Sequence, residues 1–134
     1  MGSGPGLRRT VLVVDDDPQV RALAARILAD SGFAVLEAAD AIHGLALLED
    51  PVAADVCLVV TDVLMPGLTG DELGRLLHHL RPTLPVLYMS AYSRPHLDFL
   101  SPDEQEHCWL EKPFSPSALV DRALQLCDPA QSPP

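Results

Sequence analysis

The sequence has 134 residues, a length that suits one folded domain. Hydrophobic residues make up 48% and charged residues 21%, a mixture typical of globular domains. The formal net charge is −10, which repels phosphate backbones and argues against direct nucleic acid binding by this domain. No apolar run approaches the ~18 residues of a membrane span, so we expect no membrane contact by this domain.

The two ends differ in composition from the rest of the chain. Residues 1–8 are predicted to be a flexible leader or a cloning remnant, and residues 128–134 a flexible linker or tail. The folded domain is then expected over residues 9–127. A linker-like end favours a natural chain that is longer than this one.

The sequence contains an odd number of cysteines, and their spacing is not that of a metal site. Cys57 and Cys108 lie in apolar runs, where a cysteine behaves as a small hydrophobic residue. We therefore interpret all three, Cys127 included, as buried reduced thiols. That interpretation favours a reducing compartment, and the domain is expected to be cytoplasmic.

The first elements follow directly from hydrophobic spacing. The apolar residues 11–14 predict a strand buried on both faces. Pro18 then marks the first turn of a helix, after carboxylates that can cap it. Ser31-Gly32 ends this helix, since glycine commonly ends helices in the left-handed conformation. The inner face of the helix is predicted to comprise Val20, Leu23, Ala24, Ile27 and Leu28.

The middle of the chain continues the alternation. Residues 34–38 predict a strand and residues 40–49 a helix. Residues 56–60 form the most apolar strand, which we place at the centre of the sheet, and it leads into Thr61-Asp62. A loop rich in turn residues spans 65–70. The inward residues of the second helix are predicted to be Ile42, Leu45 and Leu48, and the third helix is marked by Leu73, Leu76, Leu77 and Leu80.

The last third contains the least clear segment. Residues 85–90 predict a fourth strand and residues 108–110 a short fifth one. Between them, Pro95 could begin a helix that Pro102 would break, so we expect a short or distorted fourth helix. Ser115 is predicted to cap the fifth helix, whose inner face would comprise Val120, Ala123, Leu124 and Cys127.

This alternation of strands and helices predicts an α/β fold with a parallel sheet and helices on both faces. Five such strands suit the doubly wound, flavodoxin-like (βα)5 order 2-1-3-4-5. In that order strands 1 and 3 are neighbours, and the ligand crevice opens at their carboxyl ends.

Acidic side chains fall where this topology places a site. Asp15 and Asp16 follow strand 1, and Asp62 ends strand 3. Three carboxylates in one crevice repel one another unless a cation lies between them, and oxygen ligands favour Mg²⁺ or Mn²⁺ over zinc. The alternative is that the acidic run only caps a helix, a role that we assign to Asp17. That alternative weakens because Ser90 and Lys112 also lie at strand ends.

Four stretches together resemble the receiver domain of two-component response regulators over about residues 9–127. The resemblance is specific because the four occur in this order and at these spacings. They are Val11-Leu12-Val13-Val14-Asp15-Asp16-Asp17-Pro18, Thr61-Asp62-Val63-Leu64-Met65-Pro66-Gly67, Leu87-Tyr88-Met89-Ser90-Ala91 and Glu111-Lys112-Pro113-Phe114.

The resemblance implies a role for each acidic residue. Asp62 would accept a phosphoryl group from the phosphohistidine of a histidine kinase or phosphotransfer domain. Asp16 would bind Mg²⁺ directly, and Asp15 through water. Asp62 itself and the backbone carbonyl of Leu64 would complete the metal site.

The same resemblance implies a switch built on the last two strands. Ser90 would bind a phosphoryl oxygen in the active state, and Lys112 would pair with Asp62 and the phosphoryl group. Trp109 stands where the family commonly has a smaller aromatic switch residue, so it is either the switch ring or a fixed residue. The peptide bond before Pro113 is expected to be cis. Output would pass to an unknown downstream protein, from a hybrid sensor kinase or from a short stand-alone regulator.

Two other functions are alternatives to this one. Asp15 and Asp17 imitate the Asp-x-Asp motif of haloacid-dehalogenase-type phosphohydrolases, but Gln19 departs from that motif and the length leaves no room for a cap domain. An interaction module that works without phosphorylation is the other alternative. Whether the domain should be called an enzyme stays open, because a receiver promotes its own phosphorylation and dephosphorylation.

Overall fold

The computed structural model describes residues 9–91 and 97–127 of the chain. Within them, strands and helices alternate as predicted. The predicted leader and tail, and Pro95, lie outside the described residues. The elements in chain order are β1 (Thr10–Val14), α1 (Pro18–Asp30), β2 (Ala34–Ala38), α2 (Ala41–Glu49), a short 3-10 helix (Pro51–Ala53), β3 (Val56–Asp62), α3 (Gly70–Leu80), β4 (Val86–Ser90), α4 (Pro102–His107), β5 (Trp109–Glu111) and α5 (Pro116–Cys127).

The five strands form one parallel sheet in the order β2-β1-β3-β4-β5, which confirms the predicted topology. Helices α1 and α5 cover one face of the sheet, and α2 and α3 cover the other. Strand β3 is central, and β1 beside it is buried along its whole length. The carboxyl ends of β1 and β3 therefore meet at one edge of the sheet.

Helix ends next to this edge are fixed by side-chain caps. The Asp17 carboxylate accepts hydrogen bonds from the backbone N–H groups of Gln19 and Val20, as its predicted capping role requires. Thr69 and Glu72 form a reciprocal capping box at the start of α3, which the sequence analysis did not identify. The hydrogen bonds that Thr69 donates to Glu72 lower the pKa of that carboxyl.

Helix α4 is short, as predicted, but the role assigned to Pro102 is wrong. Pro102 begins α4 instead of breaking a helix, with Ser101 as its N-cap and Glu104 completing a capping box. The first turn of a helix tolerates proline because its missing N–H would have no partner in the helix.

The helix faces are rotated slightly from those predicted. Leu23 is 54% exposed, Ile42 is 66% exposed and Leu124 is 39% exposed, so none of them faces the core as expected. In α5 the buried positions are Leu119 and Ala123. Small residues that were not predicted, Ala25 and Ala41, lie on the inner faces instead, because helices packed closely against a sheet leave little space.

The interpretation of three reduced thiols is wrong for two of them. Cys57 and Cys127 form a disulfide across 70 residues of sequence, with their Cα atoms 5.1 Å apart. The reason is that α5 packs across β3 and brings its last residue over the start of that strand. Cys108 is a buried thiol that donates to the carbonyl of Gln105 at 3.7 Å.

Candidate functional site

Three aspartates converge at the carboxyl ends of β1 and β3. Asp15 and Asp16 follow β1 directly, and Asp62 is the last residue of β3. Carboxylate oxygens from all three lie within 4.8 Å of one another. Asp15 is fully buried, Asp62 is half-buried and Asp16 is exposed, so the cluster opens to solvent on the side of Asp16.

Lys112 supplies the positive charge of the cluster, and it is the only lysine in the sequence. Its ammonium group donates to Oδ2 of Asp15 and to Oδ1 of Asp62, each at 3.1 Å. Burial by itself would lower the pKa of Lys112, but the two carboxylates outweigh it and the pKa is raised. Lys112 therefore stays protonated and ties β5 to the ends of β1 and β3.

The surroundings disfavour the charged form of Asp62, whereas they favour the charged form of Lys112. Burial raises the pKa of its carboxyl, and repulsion from Asp15 and Asp16 adds to that effect. Lys112 opposes the rise without cancelling it. The ionised form of Asp62 is thus short of compensating positive charge, and a cation beside it would supply that charge.

The loop after β1 is held by backbone contacts that the sequence analysis missed. The Asp15 carboxylate accepts a hydrogen bond from the N–H of Asp17 at 2.9 Å. The guanidinium of Arg21 donates to the Asp15 carbonyl at 2.8 Å and to Glu37 at 3.3 Å. Arg21 and Glu37 lie 16 residues apart, on α1 and β2, and only the tertiary fold brings them together.

The loop after β3 is pressed against the start of α3. The N–H of Gly70 donates to the carbonyl of Val63 at 2.8 Å. A Cβ at Gly70 would lie 2.0 Å from the carbonyl oxygen of Asp62, so only glycine fits this close approach. Leu64 lies in this loop with a 56% exposed side chain, and a metal contact of its carbonyl stays a prediction.

Strands β4 and β5 place the remaining predicted residues on the same edge. Met89 pairs with Asp62, and Ser90 follows it as a buried residue. The N–H of Lys112 donates to the carbonyl of Ser90 at 2.8 Å, so the two predicted phosphoryl-binding residues are joined through the backbone. The peptide bond between Lys112 and Pro113 is cis, as the resemblance implies.

Trp109 does not lie in the acidic cluster. It pairs with Tyr88 across β4 and β5 and packs, half-buried, against Tyr88, Leu97 and Cys108. The guanidinium of Arg122 in α5 donates to the Trp109 carbonyl at 3.3 Å. Trp109 thus connects β5, the strand that leads into Lys112, with both α5 and the segment before α4.

The donors in the cluster suit a hard divalent cation. All are carboxylate oxygens, with an exposed side where water can complete the coordination, as Mg²⁺ and Mn²⁺ require. Asp17 does not join them, because its carboxylate caps α1. The Asp-x-Asp pair of a haloacid-dehalogenase-type site is therefore not formed by Asp15 and Asp17.

No helix within residues 9–91 and 97–127 is both long and apolar enough to cross a membrane.

Comparisons with known proteins agree with this geometry. The chain is 31% identical over 119 residues to the sensor kinase CckA of Brucella abortus, and 34% identical over 126 residues to the transcriptional regulatory protein TcrA of Mycobacterium tuberculosis. These alignments cover 89% and 92% of this chain, but only 12% and 49% of the two relatives. The chain thus spans about half or less of the length of either relative.

Solved structures share the fold over nearly all of the chain. The receiver domain of the hybrid histidine kinase CckA matches with a TM-score of 0.71 and 32% identity, over 89% of this chain and 99% of that one. The chemotaxis protein CheY4 of Vibrio cholerae matches with a TM-score of 0.74 and 27% identity, over 89% and 98%. Residues 11–124 match the family described as the response regulator receiver domain, to which this chain therefore belongs.

Proposed function

We propose that this domain accepts a phosphoryl group on Asp62 from the phosphohistidine of a histidine kinase or phosphotransfer domain. The metal would be Mg²⁺ or Mn²⁺, held by Asp15, Asp16, Asp62 and the carbonyl of Leu64. The observation that carries the proposal is the shared lysine. Lys112 contacts both Asp15 and Asp62 at 3.1 Å, beside three carboxylates whose oxygens lie within 4.8 Å of one another.

The transfer joins a carboxylate oxygen of Asp62 to phosphorus and breaks the bond between phosphorus and the histidine nitrogen. Two anionic groups must approach, so positive charge next to Asp62 is the main requirement. Lys112 holds one oxygen of Asp62 and supplies part of that charge. A bound divalent cation would supply the rest. Burial of Asp15 and Asp62 strengthens both interactions by excluding water.

The switch that reports phosphorylation is proposed to use Ser90, Lys112 and Trp109. A phosphoryl group on Asp62 would attract the Ser90 hydroxyl and displace the ammonium of Lys112 from Asp62. Because Lys112 and Ser90 share a backbone hydrogen bond, β4 and β5 would respond together. Trp109 would carry the change to the surface formed by β4, β5 and residues 97–107, where a downstream protein would bind.

The partners follow from the same proposal. The upstream partner is a histidine kinase or a phosphotransfer domain, and the downstream one is a protein. The parent would be a hybrid sensor kinase or a short regulator, and the domain would work in the cytoplasm. The similarity to CckA, a sensor kinase, favours the hybrid parent.

The phosphoacceptor is tested with acetyl phosphate as the phosphodonor, in the presence of Mg²⁺. Intact-mass spectrometry should show one added phosphoryl group on the wild-type domain and none on Asp62→Asn, because the reacting oxygen anion is lost. Asp55→Asn is the matched control, since Asp55 is an exposed aspartate directly before the first residue of β3. This variant should gain one phosphoryl group, as the wild-type domain does.

Two results would contradict this assignment. Modification of Asp62→Asn at wild-type rate would place the phosphoacceptor elsewhere. A wild-type domain that stays unmodified, in the presence of Mg²⁺ and of both acetyl phosphate and a phosphorylated phosphotransfer domain, would favour an interaction module that works without phosphorylation.

Divalent cations should stabilise the domain through Asp16. Binding to the folded state alone adds about 1.4 kcal/mol when the cation is at ten times its dissociation constant, or roughly 5 °C in melting temperature. Asp16→Ala should reduce this rise in a thermal melt with millimolar Mg²⁺, whereas Asp55→Ala should keep it. An equal rise in both variants would show that the cation binds elsewhere.

The stability of the metal-free domain should depend on pH through Asp62. Its pKa is raised in the folded state above the ordinary value of 3.8, so protonation favours folding. That contribution is present below the unfolded-state pKa and is lost as pH rises through the folded-state pKa. Melting curves in EDTA should therefore show wild type losing stability relative to Asp62→Asn on going from acid to neutral pH. A constant difference would contradict the raised pKa.

A further inference from the structure

The disulfide between Cys57 and Cys127 joins β3 and α5 near the start of β3, at the opposite end of that strand from the acidic cluster. Cys57 lies near the start of β3, and Cys127 is the last residue of α5. Their Cα separation of 5.1 Å lies within the range of about 4.4–6.8 Å that is usual for disulfides. The fold therefore holds the two cysteines within bonding distance of each other.

The rest of α5 is held by a different kind of contact. Leu119 and Ala123 are fully buried, in the same cluster as Leu58 and Val60 of β3. This apolar packing holds the first two turns of the helix whether or not the sulfurs are joined. The last turn is more exposed, since Leu124 is 39% exposed and Gln125 is also exposed, while Leu126 and Cys127 pack half-buried against the same cluster. The disulfide adds a covalent attachment to that packing.

The exposure of the sulfur-bearing residues distinguishes this pair from the third cysteine. Cys57 and Cys127 are both half-buried, which leaves them more open to small thiols and disulfides than a fully buried cysteine. Cys108 is only 5% exposed and lies in the buried cluster that contains Tyr88 of β4. Its thiol donates to the Gln105 carbonyl. Exchange with a small reagent should therefore select Cys57 and Cys127.

We propose that Cys57 and Cys127 form a reversible thiol–disulfide site, which fixes the last turn of α5 to β3 when oxidised and releases it when reduced. The oxidant is a low-molecular-weight disulfide such as glutathione disulfide. One cysteine thiolate attacks it, forming a mixed disulfide and releasing one glutathione. The second cysteine thiolate then displaces the other glutathione, so that two thiols are oxidised, one external disulfide is reduced and the protons pass to the two glutathiones.

The change is confined to the end of α5. Arg122 lies in the packed part of the helix, one residue before Ala123, so its contact with the Trp109 carbonyl on β5 should persist in both oxidation states. A reduced domain in a reducing compartment and an oxidised one under oxidative stress would thus present different α5 surfaces.

The site is tested by alkylation and mass spectrometry of the purified full chain. After treatment with glutathione disulfide, peptide mapping should show Cys57 linked to Cys127, and Cys108 alkylated only in denaturant. After millimolar dithiothreitol, native alkylation with iodoacetamide should modify Cys57 and Cys127 while Cys108 stays protected. Hydrogen exchange should then quicken at residues 124–127 and stay unchanged at residues 119–123.

Thermal melts provide the second measurement. Closing a loop of this length should raise the melting temperature of the oxidised form by roughly 10 °C. Cys57→Ser should abolish this difference, and Cys108→Ala, the matched control, should keep it. The wild-type comparison needs no variant to fold. A linked peptide that contains Cys108, a native disulfide that resists dithiothreitol, or equal melting temperatures of the two forms would overturn the proposal.

Discussion

Replacing Lys112 with methionine should slow phosphorylation of Asp62 by roughly a hundredfold to a thousandfold, the cost of removing one preorganised charge-stabilising group. Methionine keeps much of the unbranched stem and removes the ammonium that contacts Asp15 and Asp62. The same change should strengthen Mg²⁺ binding, because the three carboxylates then have no other positive partner in the cluster. The two effects have opposite signs and separate a lost catalytic charge from a misfolded domain.

The measurement combines phosphorylation kinetics with a Mg²⁺ titration of the melting temperature. Lys112→Arg is the control that keeps the charge but changes its shape, and it should fall between wild type and Lys112→Met. Because the sequence has a single lysine, reductive methylation places an NMR label on Lys112, with the terminal amine as the only other target. Loss of both phosphorylation and Mg²⁺ response in Lys112→Met would contradict the proposed role.

The strand ends and their residues could be predicted from the sequence because they depend on simple rules. Buried parallel strands appear as short apolar runs, and a doubly wound sheet brings the ends of strands 1 and 3 together. Asp15 and Asp62 follow from those rules alone. Lys112 could be placed at a strand end in the same way, but its contacts of 3.1 Å to both aspartates required the structure.

Other features depend on tertiary distances that no spacing rule contains. The Cys57–Cys127 pair is separated by 70 residues, so its formation follows from where α5 crosses β3. Arg21 reaches the Asp15 carbonyl because α1 begins right after β1 and turns back over it. Ile42 was predicted to face the core but is exposed. The prediction failed because several neighbouring apolar residues in α2 allow more than one inner face.

Two helix-capping signals were present in the sequence, one of which was misinterpreted and the other not identified. Ser101-Pro102-Asp103-Glu104 has the pattern of a capped helix start, with proline at the first helical position and glutamate at the third. Thr69 and Glu72 have the same spacing. The Thr69 cap fixes the start of α3, the helix that begins beside Asp62.

The close approach of α3 to the end of β3 leads to the prediction with the largest effect on stability. Gly70→Ala would place a Cβ 2.0 Å from the carbonyl oxygen of Asp62 and 2.9 Å from Cα of Val63. Both neighbours are backbone atoms, so the start of α3 or the end of β3 has to move. Overpacking of this kind costs about 1–3 kcal/mol, and backbone against backbone belongs at the upper end.

Gly44→Ala is the matched control, because Gly44 also lies within a helix. The only tight contact of its added Cβ would be with the Cγ2 methyl of Val14, at 3.1 Å, and a side chain can shift by a few tenths of an ångström. The next nearest atoms, of Ala38 and Leu12, would lie at an ordinary contact distance of 3.8 Å. Alanine also favours the helix by about 1 kcal/mol, so the net effect at Gly44 should be small. Chemical denaturation should therefore separate the free energies of unfolding of the two variants by about 2 kcal/mol or more.

Gly70→Ala should also lose Mg²⁺ stabilisation and phosphorylation, because the displaced backbone carries Asp62 and leads to Leu64. Equal stabilities, or a destabilised Gly70→Ala domain that still binds Mg²⁺ and is phosphorylated at wild-type levels, would show that this contact does not position the phosphoacceptor.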